Sequence, residues 1–143
     1  MRSRVYVLFL AFFVVTQALA HEEAGESNQA GPGKAVEAFD EHDGFKLSAK
    51  AIAAFDIKFA ELKGPAPWRV PKSAIVFQKQ TSGVYRKDGR WIQITPITIV
   101  EREKDFFLIR SEKLKTGTEI ATSGTSFLRM TDADLNAGEA DHH

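Results

Sequence analysis

The sequence contains no cysteine. Thiol nucleophiles, disulfide redox chemistry and cysteine-ligated zinc or iron–sulfur centres are therefore excluded. Methionine is nearly absent as well, with only Met1 and Met130, so no methionine-rich metal relay can be built. There is no excess of charge of either sign, with 19 basic and 19 acidic side chains. A nucleic-acid binder would need a basic face. No Gly-rich run leads into a helical pattern, which argues against a phosphate loop, and Gly117 and Gly124 read as turn residues. No internal repeat is evident.

The first twenty residues have the layout of a secretory signal. Arg2 and Arg4 supply a positive start, and residues 5–15 form an uncharged apolar run that includes Leu8, Phe9, Leu10, Phe12 and Phe13. Ala18-Leu19-Ala20 then gives the small-x-small pattern of a cleavage site, so His21 is the expected first residue after processing. The run is shorter than the roughly twenty residues a spanning helix needs. No cysteine follows it to take a lipid. Cleavage would leave 123 of the 143 residues, enough for one small domain. The 19 basic residues less Arg2 and Arg4 leave 17 against 19 acidic ones, a balance of −2. The expected compartment is the bacterial periplasm.

Residues 21–44 read as a flexible acidic leader, carrying Gly25, Gly31, Pro32, Gly33 and Gly44 among Glu22, Glu23, Glu26, Glu37, Asp40, Glu41 and Asp43. Residues 131–143 read as a second acidic tail ending in His142 and His143. The folded domain is then expected at 45–130. In it, Ser48 caps a short Ala-rich helix reaching Phe55, with Ile52, Phe55 and Phe59 turned inward. The remainder alternates as short strands. Asp88-Gly89 marks a tight hairpin between residues 83–86 and 90–94. Residues 97–101 and 106–110 flank a charged turn at Arg102 to Asp105. Pro96 predicts an edge or a bend. The expected fold is mainly β, a small barrel or rolled sheet of antiparallel strands with one short helix.

Three stretches resemble a known family. Val70-Pro71-Lys72-Ser73-Ala74-Ile75-Val76 resembles the Val-Pro-x-x-Ala-Val segment of periplasmic adaptor subunits, or membrane-fusion proteins, of RND-type efflux pumps. The stretch from Leu114 through Thr116, Gly117 and Ile120 to Gly124, followed by Phe127-Leu128, is similar to a later segment of the same family. Phe45-Lys46-Leu47-Ser48 through Ile57 is similar to the opening of its heavy-metal branch. The stretches occur in the family's order. The resemblance implies a membrane-proximal β-domain that rests against an inner-membrane RND pump or a full-length adaptor. Residues 63–68 are too few to hold the lipoyl-like sandwich, helical hairpin and barrel of a full adaptor, so the resemblance covers that one domain.

Chemistry has few candidates. His21, His42, His142 and His143 are the only imidazoles, and Glu22, Glu23 and Asp141 lie beside them. They leave open a tail-borne site for copper, zinc or nickel. This is the competing reading, a free periplasmic metal-binding protein. Ser73, Ser82, Ser111, Ser123 and Ser126 have no histidine base within 45–130, so a non-catalytic protein is expected. Trp91, Phe106 and Phe107 are candidates for contact with a partner. Adjacent strand residues face opposite ways, so either Phe106 or Phe107 must leave the main core.

Overall fold

Alternation on two central strands decides how this chain packs. The computed structural model describes residues 30, 31 and 33–139. Strands β1 (Val36–Asp40) and β2 (Gly44–Leu47) form a hairpin, followed by helix α1 (Ala49–Ala54) and strand β3 (Lys58–Glu61). Next come β4 (Trp68–Pro71), a 3-10 turn at Lys72–Ala74, β5 (Val76–Gln78), β6 (Thr81–Asp88), β7 (Trp91–Arg102), β8 (Phe106–Arg110) and β9 (Glu119–Ser123). Helix α2 (Thr125–Glu139) closes the described chain. All strand pairs are antiparallel. The fold is a mainly β rolled sheet, open rather than closed into a barrel.

Successive residues of a strand face opposite sides, and here both sides are buried. On β6, Val84 joins one apolar cluster and Tyr85 the other. On β9, Ile120 and Ala121 divide in the same way. One cluster fills the concave side of the roll with Trp68, Val70, Ile75, Phe107, Ile109 and Leu114. The other lies under the two helices, where Phe45, Leu47, Ile57, Val76 and Ile92 meet Leu128 and Leu135.

Several local expectations hold. Ser48 Oγ accepts from the Ala51 amide at 3.0 Å and caps α1. Gly89 takes a positive φ of 57° in the β6–β7 turn. β7 is unbroken at Pro96, which lies beyond its pairing with β2 and before its pairing with β8. Only β6 runs beside Pro96 among the described strands, so a missing donor on the other side breaks no ladder bond.

Three expectations are corrected. The leader assigned to 21–44 is not free of structure, because β1 lies within it and pairs with β2. Val36 and Phe39 pack against the helix-side cluster, and Asp40 Oδ1 accepts from the amides of His42 at 2.8 Å and Asp43 at 3.0 Å to fix the turn. The tail assigned to 131–143 begins inside α2, whose Leu128, Thr131 and Leu135 recur at helical spacing and are buried. The chain thus has a second, longer helix beyond the one expected. Phe55 does not turn inward either. It is 47 % exposed and stacks on Phe127, ring centroids 3.6 Å apart.

Candidate functional site

A partly buried polar pair joins α2 to the sheet. Tyr85 faces the helices because Val84 takes the other side of β6, and Asp132 stands one turn after Leu128 on α2. The Tyr85 hydroxyl donates to Asp132 Oδ2 at 3.1 Å. Asn136 Nδ2 donates to Asp132 Oδ1 at 3.0 Å and to its carbonyl at 2.7 Å. Burial raises the Asp132 carboxyl above its ordinary range, although these two donors pull the other way. Burial raises the Tyr85 phenol far above its ordinary value, and the Asp132 charge adds to this. The phenol therefore stays a donor, and the carboxyl is the group of the pair that titrates. A cleft of about 850 Å³ opens beside them, lined by Gln78, Lys79, Gln93, Arg129, Asp132 and Asn136. The arrangement works as a latch that holds α2 to β6.

A titration follows. A carboxyl raised in the folded state adds stability below its unfolded value of about 3.9, and that contribution is lost as pH rises through the folded value. Asp132→Asn removes the titration. Its melting temperature relative to the unaltered chain should improve as pH rises from about 4 through the folded value of Asp132 and then level off. A difference that does not change with pH would show that Asp132 is not the titrating group.

The second feature is a groove where the roll fails to close. Strands β3-β9-β6-β7-β8-β4 form an incomplete ring, and its end strands β3 and β4 face each other without pairing. Their Cα atoms lie for the most part more than 8 Å apart. The groove is about 240 Å³, lined by Ala60, Glu61 and Lys63 on one side and by Trp68, Arg69 and Val70 on the other, with Ile120 and Thr122 also reaching it. Ser73 Oγ donates to the Thr122 carbonyl at 2.6 Å and ties the 3-10 turn to β9. At the other end Trp68 Nε1 donates to the Gly64 carbonyl at 3.0 Å.

Of the residues singled out from the sequence, only some are described. His21, His142 and His143 lie outside the described residues. His42 sits exposed in the β1–β2 turn with its amide given to Asp40. Among the described residues, no group of three or more histidine, aspartate or glutamate side chains is placed to hold a metal. Trp91 is half-buried with Lys46 Nζ 4.3 Å from its ring centroid. Phe107 is buried in the concave cluster, with Val70 and Arg102 as its strand partners. Phe106 is the residue of that pair that leaves the core. The Arg69 guanidinium lies 3.6 Å from its ring centroid and reaches Glu103 at 3.0 Å.

Besides Phe55, the exposed large apolar side chains are ones that were not candidates for contact from the sequence. Phe77 is 48 % exposed, Val100 51 % and Met130 64 %. Phe77 sits one residue beyond buried Val76 on the short strand β5, so alternation alone predicts its outward side chain. Arg102 lies 6.0 Å from the Phe77 ring and 5.1 Å from the Phe107 ring, so a cation bridges the exposed ring and the buried one. Such a surface suits contact with another polypeptide. Compared with known proteins, the chain matches no family model, no curated protein and no solved structure.

Proposed function

We propose that this chain is a non-catalytic periplasmic component of an RND-type efflux system, in the manner of an adaptor's membrane-proximal domain, acting by protein–protein docking. The observation that carries this reading is where the three adaptor-like stretches fall. Phe45, Leu47 and Ile57 of the first, Val76 of the second and Ala121 with Leu128 of the third share the helix-side cluster. Val70, Ala74 and Ile75 share the concave cluster with Leu114 and Ile120. The resembling residues are thus the mutual packing partners of one domain, as segments of a single inherited fold would be.

Two further features favour docking. Phe77 and Val100 offer exposed apolar surface, Arg102 lies beside the Phe77 ring, and Arg102 and Lys72 have no ion-pair partner among the described residues. The sheet also keeps edges that can pair with another chain. Among the described residues no helix is long and apolar enough to cross a membrane, so attachment of this part to a membrane complex would come through such contacts. The test is affinity purification of the tagged protein from gently solubilised membranes of its own cell. An inner-membrane RND pump or an adaptor subunit should co-purify. Recovery of the protein alone, together with copper or zinc binding that disappears when His21, His42, His142 and His143 are replaced, would favour the metal-binding reading instead.

A further inference from the structure

We propose that the groove between β3 and β4 receives one extended strand of a partner polypeptide, which pairs with both edges and completes the ring. The partner's identity rests on the docking reading above. The groove's capacity for a strand does not.

The backbone of both edges points into the gap. Leu62 N donates to the Thr118 carbonyl at 2.9 Å, so Leu62 and, two residues back, Ala60 bond toward β9. Antiparallel ladders alternate, which leaves the amides and carbonyls of Phe59 and Glu61 facing the groove. Across it, Lys72 N donates to the Asp105 carbonyl at 3.1 Å. Val70 and Trp68 therefore bond toward β8, and the amide and carbonyl of Arg69 face the groove. Pro71 contributes only a carbonyl. No described residue pairs with these groups.

The dimensions suit one strand. Neighbouring strands lie about 4.8 Å apart, so an inserted strand needs its flanking strands roughly twice that distance from each other. Most Cα pairs of β3 and β4 lie more than 8 Å apart, as this requirement asks. The groove's 240 Å³ falls below the range of about 300–1,000 Å³ usual for small-molecule sites. Its buried floor of Leu62, Trp68, Val70 and Ile120 would take an apolar side chain, while Glu61, Lys63 and Arg69 at the rim meet polar ones. Successive antiparallel pairings around the ring make β3 and β4 run oppositely. An inserted strand is thus antiparallel to one and parallel to the other. β3 is the better antiparallel partner, because both Phe59 and Glu61 can donate where Pro71 cannot.

The occupant is a free segment of another protein. Residues 21–29, the leader left once the expected signal at 1–20 is removed, hold three glutamates and a glycine with no β-branched or aromatic side chain, a poor strand composition. Ala140, Asp141, His142 and His143 likewise lack β-branched side chains. The edge of a second copy would arrive attached to its own sheet, and a gap bounded on both sides excludes it. Strand β1 has an open side as well, yet a strand added there would pair on one side only.

The test uses the isotope-labelled full chain and a capped peptide of four Thr-Val repeats, followed by NMR and amide exchange. The peptide should shift the Phe59, Glu61 and Arg69 amides and slow their exchange at least about tenfold. The same peptide N-methylated at alternate residues should do neither. Glu61→Pro removes one groove-facing donor at an edge that tolerates proline. It should weaken peptide binding about tenfold or more while leaving the melting temperature close to that of the unaltered chain. A Glu61→Pro variant that melts early is replaced by Arg69→Pro, judged the same way. The proposal is overturned if millimolar peptide leaves these amides unchanged or perturbs β1 or β5 instead. It is equally overturned if the amides are already protected without peptide, whether in a dilution-dependent way (a second copy) or not (the chain's own termini). Failure here with a pump still co-purifying would leave docking intact and remove only the strand groove.

Discussion

Ending the chain at Met130 should lower the melting temperature by about 15 °C or more, or prevent folding altogether. Such a truncation removes only residues that read in sequence as an acidic tail. In the structure it takes away buried Leu135 and Thr131 together with the Asp132 carboxyl that receives the Tyr85 hydroxyl. Burying a leucine contributes about 1.5–3 kcal/mol, and leaving a buried hydroxyl without its partner costs about 1–3 kcal/mol. The six remaining residues of α2 are too few to hold a helix without packing, so Leu128 loses cover as well. For a domain of this size each kcal/mol shifts the midpoint by roughly 4–8 °C. Circular dichroism melts of the truncated and full chains decide it. A midpoint within a few degrees of the full chain would mean that α2 does not hold the sheet.

How much of this was readable depends on the kind of signal involved. The Asp88-Gly89 turn, the Ser48 cap and the charged turn before Phe106 are local features whose chemistry is complete within a few residues, and all three appear where expected. Helix α2 was hidden because Asp132, Asp134 and Glu139 dominate its composition while its buried stripe is only Leu128, Thr131 and Leu135. A threonine in the middle of that stripe breaks the apolar period. β1 was obscured in the same way by the acids around Val36 and Phe39, although Asp40 followed by Gly44 was a usable turn signal. The unclosed ring was not legible at all. It depends on which strands become neighbours, and no local pattern on β3 or β4 announces that they stay apart. The Tyr85–Asp132 latch belongs to that class too, since it needs residues 47 positions apart to be placed first.

Gly44→Ala should be nearly as damaging, although it adds a single methyl group. Gly44 has a φ of +91°, and a Cβ built there would lie 2.1 Å from the Ile92 carbonyl oxygen and 2.9 Å from its carbon. Both atoms are backbone in β7, so no side chain can swing away to make room. The left-handed conformation alone costs a non-glycine residue about 1–3 kcal/mol. The clash must in addition push β2 off β7, where Phe45 pairs with Ile92. A total of about 3–5 kcal/mol is expected, again about 15 °C or more in midpoint. Gly89→Ala is the natural control. It shares the positive φ but meets nothing within 4 Å, so only the conformational penalty of about 1–2 kcal/mol remains. Equal losses at the two positions would show that close approach to β7 is not what requires glycine at 44.

Docking to an efflux assembly is tested most directly by capturing the contact in the cell. A photoreactive benzoylphenylalanine placed at Phe77, Val100 or Glu61 samples the exposed apolar surface and the groove rim, and the same group at Asp88 samples a turn outside both. Irradiation of intact cells should yield a crosslink from at least one of the first three positions to an inner-membrane RND pump or an adaptor subunit, and none from Asp88. Irradiated samples in which all four positions give only uncrosslinked protein, or products containing neither kind of subunit, would contradict the docking role.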